Sequence, residues 1–244
     1  MVHTNATPVM RRIISTHSRA KPLILAFQHR LRRWYQRHQR PLPWRKTQDP
    51  YKILVSEIML QQTQVDRVIP KYHEFLHRYP TVEALARARI PELRRVWYPL
   101  GYNIRPIRLR NIARTVLRRH GGRIPNSYDG LLVMDGVGRY TAGAVLSFAF
   151  RQDAAILDTN VARLLARYFG LPHGSPRRKL WDLARVVIPP GKAYQINQAM
   201  MDFGALVCTA RRPRCPVCVL RHHCKSYPYG QTKTSARTGG DRDH

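Results

Sequence analysis

Acidic side chains are scarce in this chain. Only 14 Asp and Glu stand against 43 Lys and Arg in 244 residues, a formal net charge of +29. None occurs before Asp49, whereas Arg11, Arg12, Arg19, Lys21, Arg30, Arg32, Arg33, Arg37, Arg40, Arg45 and Lys46 all do. So lopsided a balance points to an acidic partner, of which nucleic acid is the commonest. Long apolar runs are missing as well. The best, 143–150, is under half of the ~18 residues that cross a bilayer, which excludes a helical membrane span. Sustained period-two alternation is absent too, so a sheet is excluded and the chain reads as all-α. Cysteine does not occur before residue 208, which speaks against a disulfide framework of the small secreted kind. With 43% apolar residues, wholesale disorder is excluded despite the charge.

What is present is helical patterning. Asp49 followed by Pro50 predicts an N-cap with proline at the first helical position. Leu54, Val55, Ile58 and Met59 then fall on one face. Pro91 opens another helix. Leu109, Ile112, Ala113, Val116 and Leu117 keep helical spacing until Gly121 and Gly122 stop the run. Val161, Leu164, Leu165 and Tyr168 form a further stripe, and 196–207 is helical up to the first cysteine. Residues 1–20 carry few large apolar groups. Their acid-free, Arg- and Ser-bearing composition is that of a transit peptide, but the same bias runs through the whole chain and favours a flexible arm that touches nucleic acid. Residues 225–244, rich in Lys, Ser, Thr, Gly and Arg, predict a disordered tail.

All four cysteines, Cys208, Cys215, Cys218 and Cys224, follow a C-x6-C-x2-C-x5-C spacing. Soft thiolates so grouped suit zinc or an iron–sulfur cluster, and spacing alone does not separate the two. The adjacent His222 and His223 could supply a zinc nitrogen. Whatever the metal, a loop with Arg211, Arg212, Arg214 and Arg221 presents fixed cations to phosphates.

A second motif is the turn at 134–143, where Gly136 and Gly138 stand two apart between helical segments. Glycines there let a phosphate approach the backbone, with Thr141 and the next helix N-terminus as further donors. In so basic a chain this reads as a helix–hairpin–helix gripping DNA. Two carboxylates also stand out. Glu57 is flanked by apolar residues, where desolvation would raise its pKa and make it a proton donor; the plainer alternative is an exposed helix edge. Asp158 precedes a helix, where Asp is a favoured N-cap. Together they match the division of labour that breaks glycosidic bonds, a neutral acid and an ionised partner.

The hairpin, an Asp about twenty residues beyond it and the cysteine spacing together resemble the endonuclease III superfamily of helix–hairpin–helix DNA glycosylases. The resemblance runs from about Leu42 to Cys224, and within it the pattern is most similar to the adenine glycosylases. It is carried by Leu42-Pro43-Trp44-Arg45, by Glu57 with Gln61-Gln62-Thr63, by Leu100-Gly101-Tyr102, by Gly136-Val137-Gly138, and by Asp158 with Asn160. It implies two helical lobes with a DNA cleft between them. Residues 51–150 would form a six-helix barrel lobe with the hairpin, and 21–50 plus 151–224 a lobe holding a [4Fe–4S] cluster on the four cysteines.

The resemblance also implies roles. Glu57 would protonate a flipped adenine, and Asp158 would stabilise the cationic sugar. Gln62, Thr63, Leu100 and Tyr102 would enter the duplex or face the opposite base, and Arg45, Gln61, Gly136, Gly138, Arg139, Tyr140 and Thr141 would bind DNA. Where bifunctional members carry a Lys, this chain has Tyr140, which cannot form an imine. The expectation is therefore a monofunctional, hydrolytic glycosylase acting as a monomer on mismatched or damaged double-stranded DNA. It would remove adenine opposite oxidised guanine or guanine and reside in the cytoplasm at the nucleoid, or in the nucleus or an organelle of a eukaryotic cell. Asp135 replaces a usual Pro, Asn103 a common Tyr, and the chain ends about twenty residues past Cys224, without the lesion-reading domain usual in adenine glycosylases. Tyr140 and the short chain also fit the thymine/uracil mismatch glycosylases. From another class, a non-catalytic DNA-binding module is the third reading.

Overall fold

The computed structural model describes residues 20–229, and among these all regular structure is helical. Eleven α-helices follow one another: α1 (Ala20–His38), α2 (Pro50–Leu60), α3 (Val65–Arg78), α4 (Val82–Arg87), α5 (Ile90–Trp97), α6 (Arg105–His120), α7 (Tyr128–Leu132), α8 (Arg139–Phe148), α9 (Thr159–Phe169), α10 (Arg177–Val186) and α11 (Ala193–Leu206). The expected flexible arm, 1–20, lies outside the described residues save for its last position, where α1 begins.

The chain divides into two compact units, neither contiguous in sequence. One comprises Arg40–Ile156 with Ile188–Asn197, and the other comprises the described parts of Met1–Gln39 and Gln198–His244 with Leu157–Val187. The first differs from the expected 51–150 at both ends. It takes back 188–197 because the Asn197 amide donates to Ser147 Oγ (3.0 Å) and the Ala154 carbonyl (2.8 Å), and the Tyr194 ring meets Phe148 edge-on.

In this unit α2 is the central element. Asp49 accepts from the amides of Tyr51 and Lys52, and Pro50 sets the first turn, so the helix starts where the sequence predicts. Ile53 to Met59 are all buried, because the helix is covered by α3, α6 and α8 on several sides. α6 ends at Gly121, whose φ of +56° closes the helix in the left-handed conformation.

In the other unit, Phe27 of α1 packs on Tyr168 and Phe169 of α9, and Trp34 meets Phe203 of α11 edge-on at 4.9 Å. The Tyr168 hydroxyl donates to the Leu23 carbonyl, and Gln28 donates to that of Val187. Residues 225–229, expected to be disordered, are held. Lys225 and Ser226 donate backbone amides to the carbonyls of Tyr168 and Arg167. The Tyr229 ring lies 3.8 Å from the Arg167 guanidinium. The rest of the expected tail, 230–244, lies outside the described residues.

Candidate active site

Glu57 lies on α2 at 2% exposure, so it is not an edge residue of an amphipathic helix. Seven residues of the same helix are buried around it, from Tyr51 to Met59.

Beyond α2 the chain turns through Gln61, Gln62 and Thr63, and a second turn at 100–102 comes to the same place. Gln62 (φ +56°) and Tyr102 (φ +48°) both adopt the left-handed region that non-glycine residues rarely occupy. Gln62 is exposed, and Tyr102 is 59% exposed. Leu100, expected to enter a duplex, is instead 4% exposed; its side chain belongs to the core and its carbonyl accepts from Arg105. Sequence reasoning missed Arg105, which ties the two turns together. Its only available signal is a cation in the first turn of α6, where it opposes the helix dipole.

The hairpin runs from α7 to α8. Gly136 has φ +77°, and a Cβ there would meet Arg108 Cδ at 2.8 Å. Arg108 also pairs with Asp135 at 3.7 Å, which accounts for an acid where the resemblance has proline. Gly138 has ordinary extended backbone, and nothing lies within 4 Å of the position its Cβ would take. No internal contact requires glycine at 138. Arg139 and Tyr140 are half-buried in the first turn of α8, whereas Thr141 is 3% exposed and belongs to the core. Arg45 is half-buried and donates to the Arg40 carbonyl at 3.0 Å.

Asp158 caps α9. Its Oδ1 accepts the Val161 amide at 2.6 Å, and its Oδ2 accepts from Asn160 Nδ2 at 3.2 Å. The Asn160 oxygen in turn accepts from Arg163 (2.7 Å), which also donates to the carbonyls of Gly204 and Cys208. A continuous line of polar contacts therefore joins Asp158 to the first cysteine. Arg167 adds donations to Cys208 Sγ and to the carbonyls of Thr209 and Ala210.

Cys208, Cys215, Cys218 and Cys224 line one cavity, walled by Leu164, Tyr168, Phe203 and Leu220. Neither His222 nor His223 lines it, and His222 Nε2 accepts from Arg221 instead. Among the described residues no three Cys, His, Asp or Glu converge as a single ion requires. Thiolates spread around a cavity fit a multi-iron cluster better than one zinc at ~2.3 Å from each sulfur. Burial pushes the Cys218 thiol up to about 11 and Cys224 in the same direction, with the neighbouring thiolates adding to both. Four thiolates there call for a cationic centre.

Residues 55–190 match the family model of the HhH-GPD superfamily base excision DNA repair protein. The chain belongs to that superfamily. Residues 208–224 match the iron-sulfur binding domain of endonuclease III, so the HhH-GPD chain carries a [4Fe–4S] site on its four cysteines. Adenine DNA glycosylase of Buchnera aphidicola subsp. Baizongia pistaciae is 37% identical over 206 residues, 83% of this chain and 59% of that protein. Thymine-DNA glycosylase of Aeropyrum pernix is 40% identical over 217 residues, 85% of this chain and 96% of that protein. The solved structure of a thermostable thymine-DNA glycosylase aligns with a TM-score of 0.82 at 33% identity, covering 85% of this chain and 98% of that one. The chain spans about half the length of the adenine DNA glycosylases it matches. No described helix is long and apolar enough to cross a membrane.

Proposed function

We propose that this protein is a monofunctional DNA glycosylase of base excision repair that hydrolyses adenine from its mispair with oxidised guanine. The observation that carries the reading is Glu57, a carboxyl 2% exposed on the helix that leads into Gln61, Gln62 and Thr63. A carboxyl shielded from bulk water in this way can be reserved for proton exchange with a leaving base. Asp158 stabilises the cationic sugar, with Asn160 and Val161 orienting its oxygens. Gln62 and Tyr102, exposed on adjoining turns, enter the duplex and offset the cost of unstacking the target base. Gly138, with open space at its Cβ position, leaves room for a phosphate against the backbone. Arg45, Arg139 and Tyr140 contribute further DNA contacts, and the protein acts as a monomer. Hydrolysis ends at base release, because Tyr140 cannot form the imine that strand cleavage requires. The cluster, when bound, fixes the loop of Arg211, Arg212 and Arg214 for phosphate contact.

Adenine is favoured by Gln61-Gln62-Thr63 and Tyr102 and by the names of several relatives. The second reading, a thymine/uracil glycosylase, is favoured by Tyr140 and by a thymine-DNA glycosylase relative matched over 96% of its length. Single-turnover assays on adenine opposite oxidised guanine, thymine opposite guanine and uracil opposite guanine decide between them. Release of adenine alone upholds the proposal, and release of the pyrimidines alone transfers it to the second reading. Base release unaffected by both Glu57→Gln and Asp158→Asn would overturn the assigned roles. Failure to release any base would leave a DNA-binding module.

A further inference from the structure

Arg105 is 3% exposed, and among the described residues its hydrogen-bond acceptors are carbonyl oxygens and one hydroxyl. A buried guanidinium needs compensation. Here it comes from carbonyls at the end of α2 and from oxygens of the two turns that follow at 61–63 and 100–101. Nη1 donates to the carbonyls of Ile58 (3.2 Å), Met59 (2.8 Å) and Gln61 (2.5 Å). Nη2 donates to Thr63 Oγ1 (3.0 Å) and to the carbonyls of Leu100 (2.9 Å) and Gly101 (3.1 Å). The cation also lies 5.2 Å from the Trp97 ring and 5.3 Å from that of Tyr102.

The turns joined in this way hold the left-handed residues Gln62 and Tyr102. Such conformations persist only where the surroundings over-determine them. Burial pushes the Arg105 pKa down, and its place in the first turn of α6 sets it against the helix dipole. The chain thus tolerates two penalties to keep a fork of donors at this point. Lysine, a single point of charge, cannot span both turns in the same way.

Resting on the glycosylase reading, we propose that Arg105 is the positioning residue that locks Gln62 and Tyr102 in one register, so that base extrusion depends on it although it touches no substrate. Its job differs from that of Glu57 and Asp158. It governs departure of the base from the stack, not cleavage of the bond to the sugar.

The test uses Arg105→Lys and Arg105→Met in the full-length, cluster-loaded protein. The probe is a duplex with 2-aminopurine at the target position, whose fluorescence rises when the base leaves the stack. Asp158→Asn is expected to extrude normally and release nothing. Both Arg105 variants are expected to extrude poorly and to release adenine about 100-fold more slowly, the loss that misplacement by an ångström brings. Amide exchange should quicken at 61–63 and 100–102 while the middle of α2 stays protected. Wild-type extrusion by Arg105→Lys, or unchanged exchange in both turns, overturns the proposal. Should neither variant fold, Thr63→Val removes one acceptor of Nη2, and wild-type extrusion by that protein overturns it equally. A wild-type protein that neither extrudes nor releases a base refutes the glycosylase reading instead, and the exchange measurement then decides for Arg105 alone.

Discussion

Val161 donates its amide to Asp158 Oδ1 at 2.6 Å, so the carboxylate assigned to the chemistry is also the cap of α9. The two roles separate by substitution, because Asn caps a helix as well as Asp does. Asp158→Asn is expected to keep the wild-type melting temperature and lose base release. Asp158→Ala should lose base release and about 1 kcal/mol of stability. Circular-dichroism melts beside single-turnover rates read both effects.

Asn160 stands between Asp158 and Arg163 with one hydrogen bond to each. Asn160→Ala removes the partner of Asp158 Oδ2, while Arg163 keeps the carbonyls of Gly204 and Cys208. Base release should slow about tenfold, equivalent to about 1.4 kcal/mol, with iron content unchanged. Equal rates for variant and wild type would show that Asp158 needs no such support.

A Cβ on Gly143 would lie 2.5 Å from the Ala155 carbonyl oxygen and 3.0 Å from the Tyr128 hydroxyl. Main chain cannot yield as a flexible side chain can, so Gly143→Ala is expected to destabilise the protein by about 1–3 kcal/mol. A thermal melt several degrees below wild type is the expected reading.

Removing a cluster ligand should act locally. Cys218→Ala is expected to lose the visible absorbance of the cluster and to open 207–227 to limited proteolysis. Far-ultraviolet dichroism should change little, because the segment holds only two short 3-10 turns, Cys215–Val217 and Arg221–His223.

Much of the fold is legible in the sequence because it is written in side chains. Asp49 before Pro50 marks the start of α2, Gly121 marks the end of α6, and the apolar flanks of Glu57 foretell its burial. Arg105 is not legible, since its partners are mostly backbone carbonyls brought together by tertiary folding. The segment 225–229 escapes for the same reason, being held through main-chain bonds to Arg167 and Tyr168. Leu100 and Thr141 mark another limit of the sequence. A motif gives their positions along the chain but not which way each faces, and both are buried. Residues 188–197 rejoin the earlier unit through the amide of Asn197, a contact that no local pattern encodes.

The interleaving of the two units bears on how the protein is made. α1 is synthesised early, yet Leu23 finds Tyr168 145 residues later and Gln28 finds Val187 after 159. Until then Phe27 and Trp34 lack the rings of Tyr168, Phe169 and Phe203 on which they pack in the folded protein. Chains interrupted before α9 therefore expose these apolar side chains, the condition in which incompletely folded proteins aggregate.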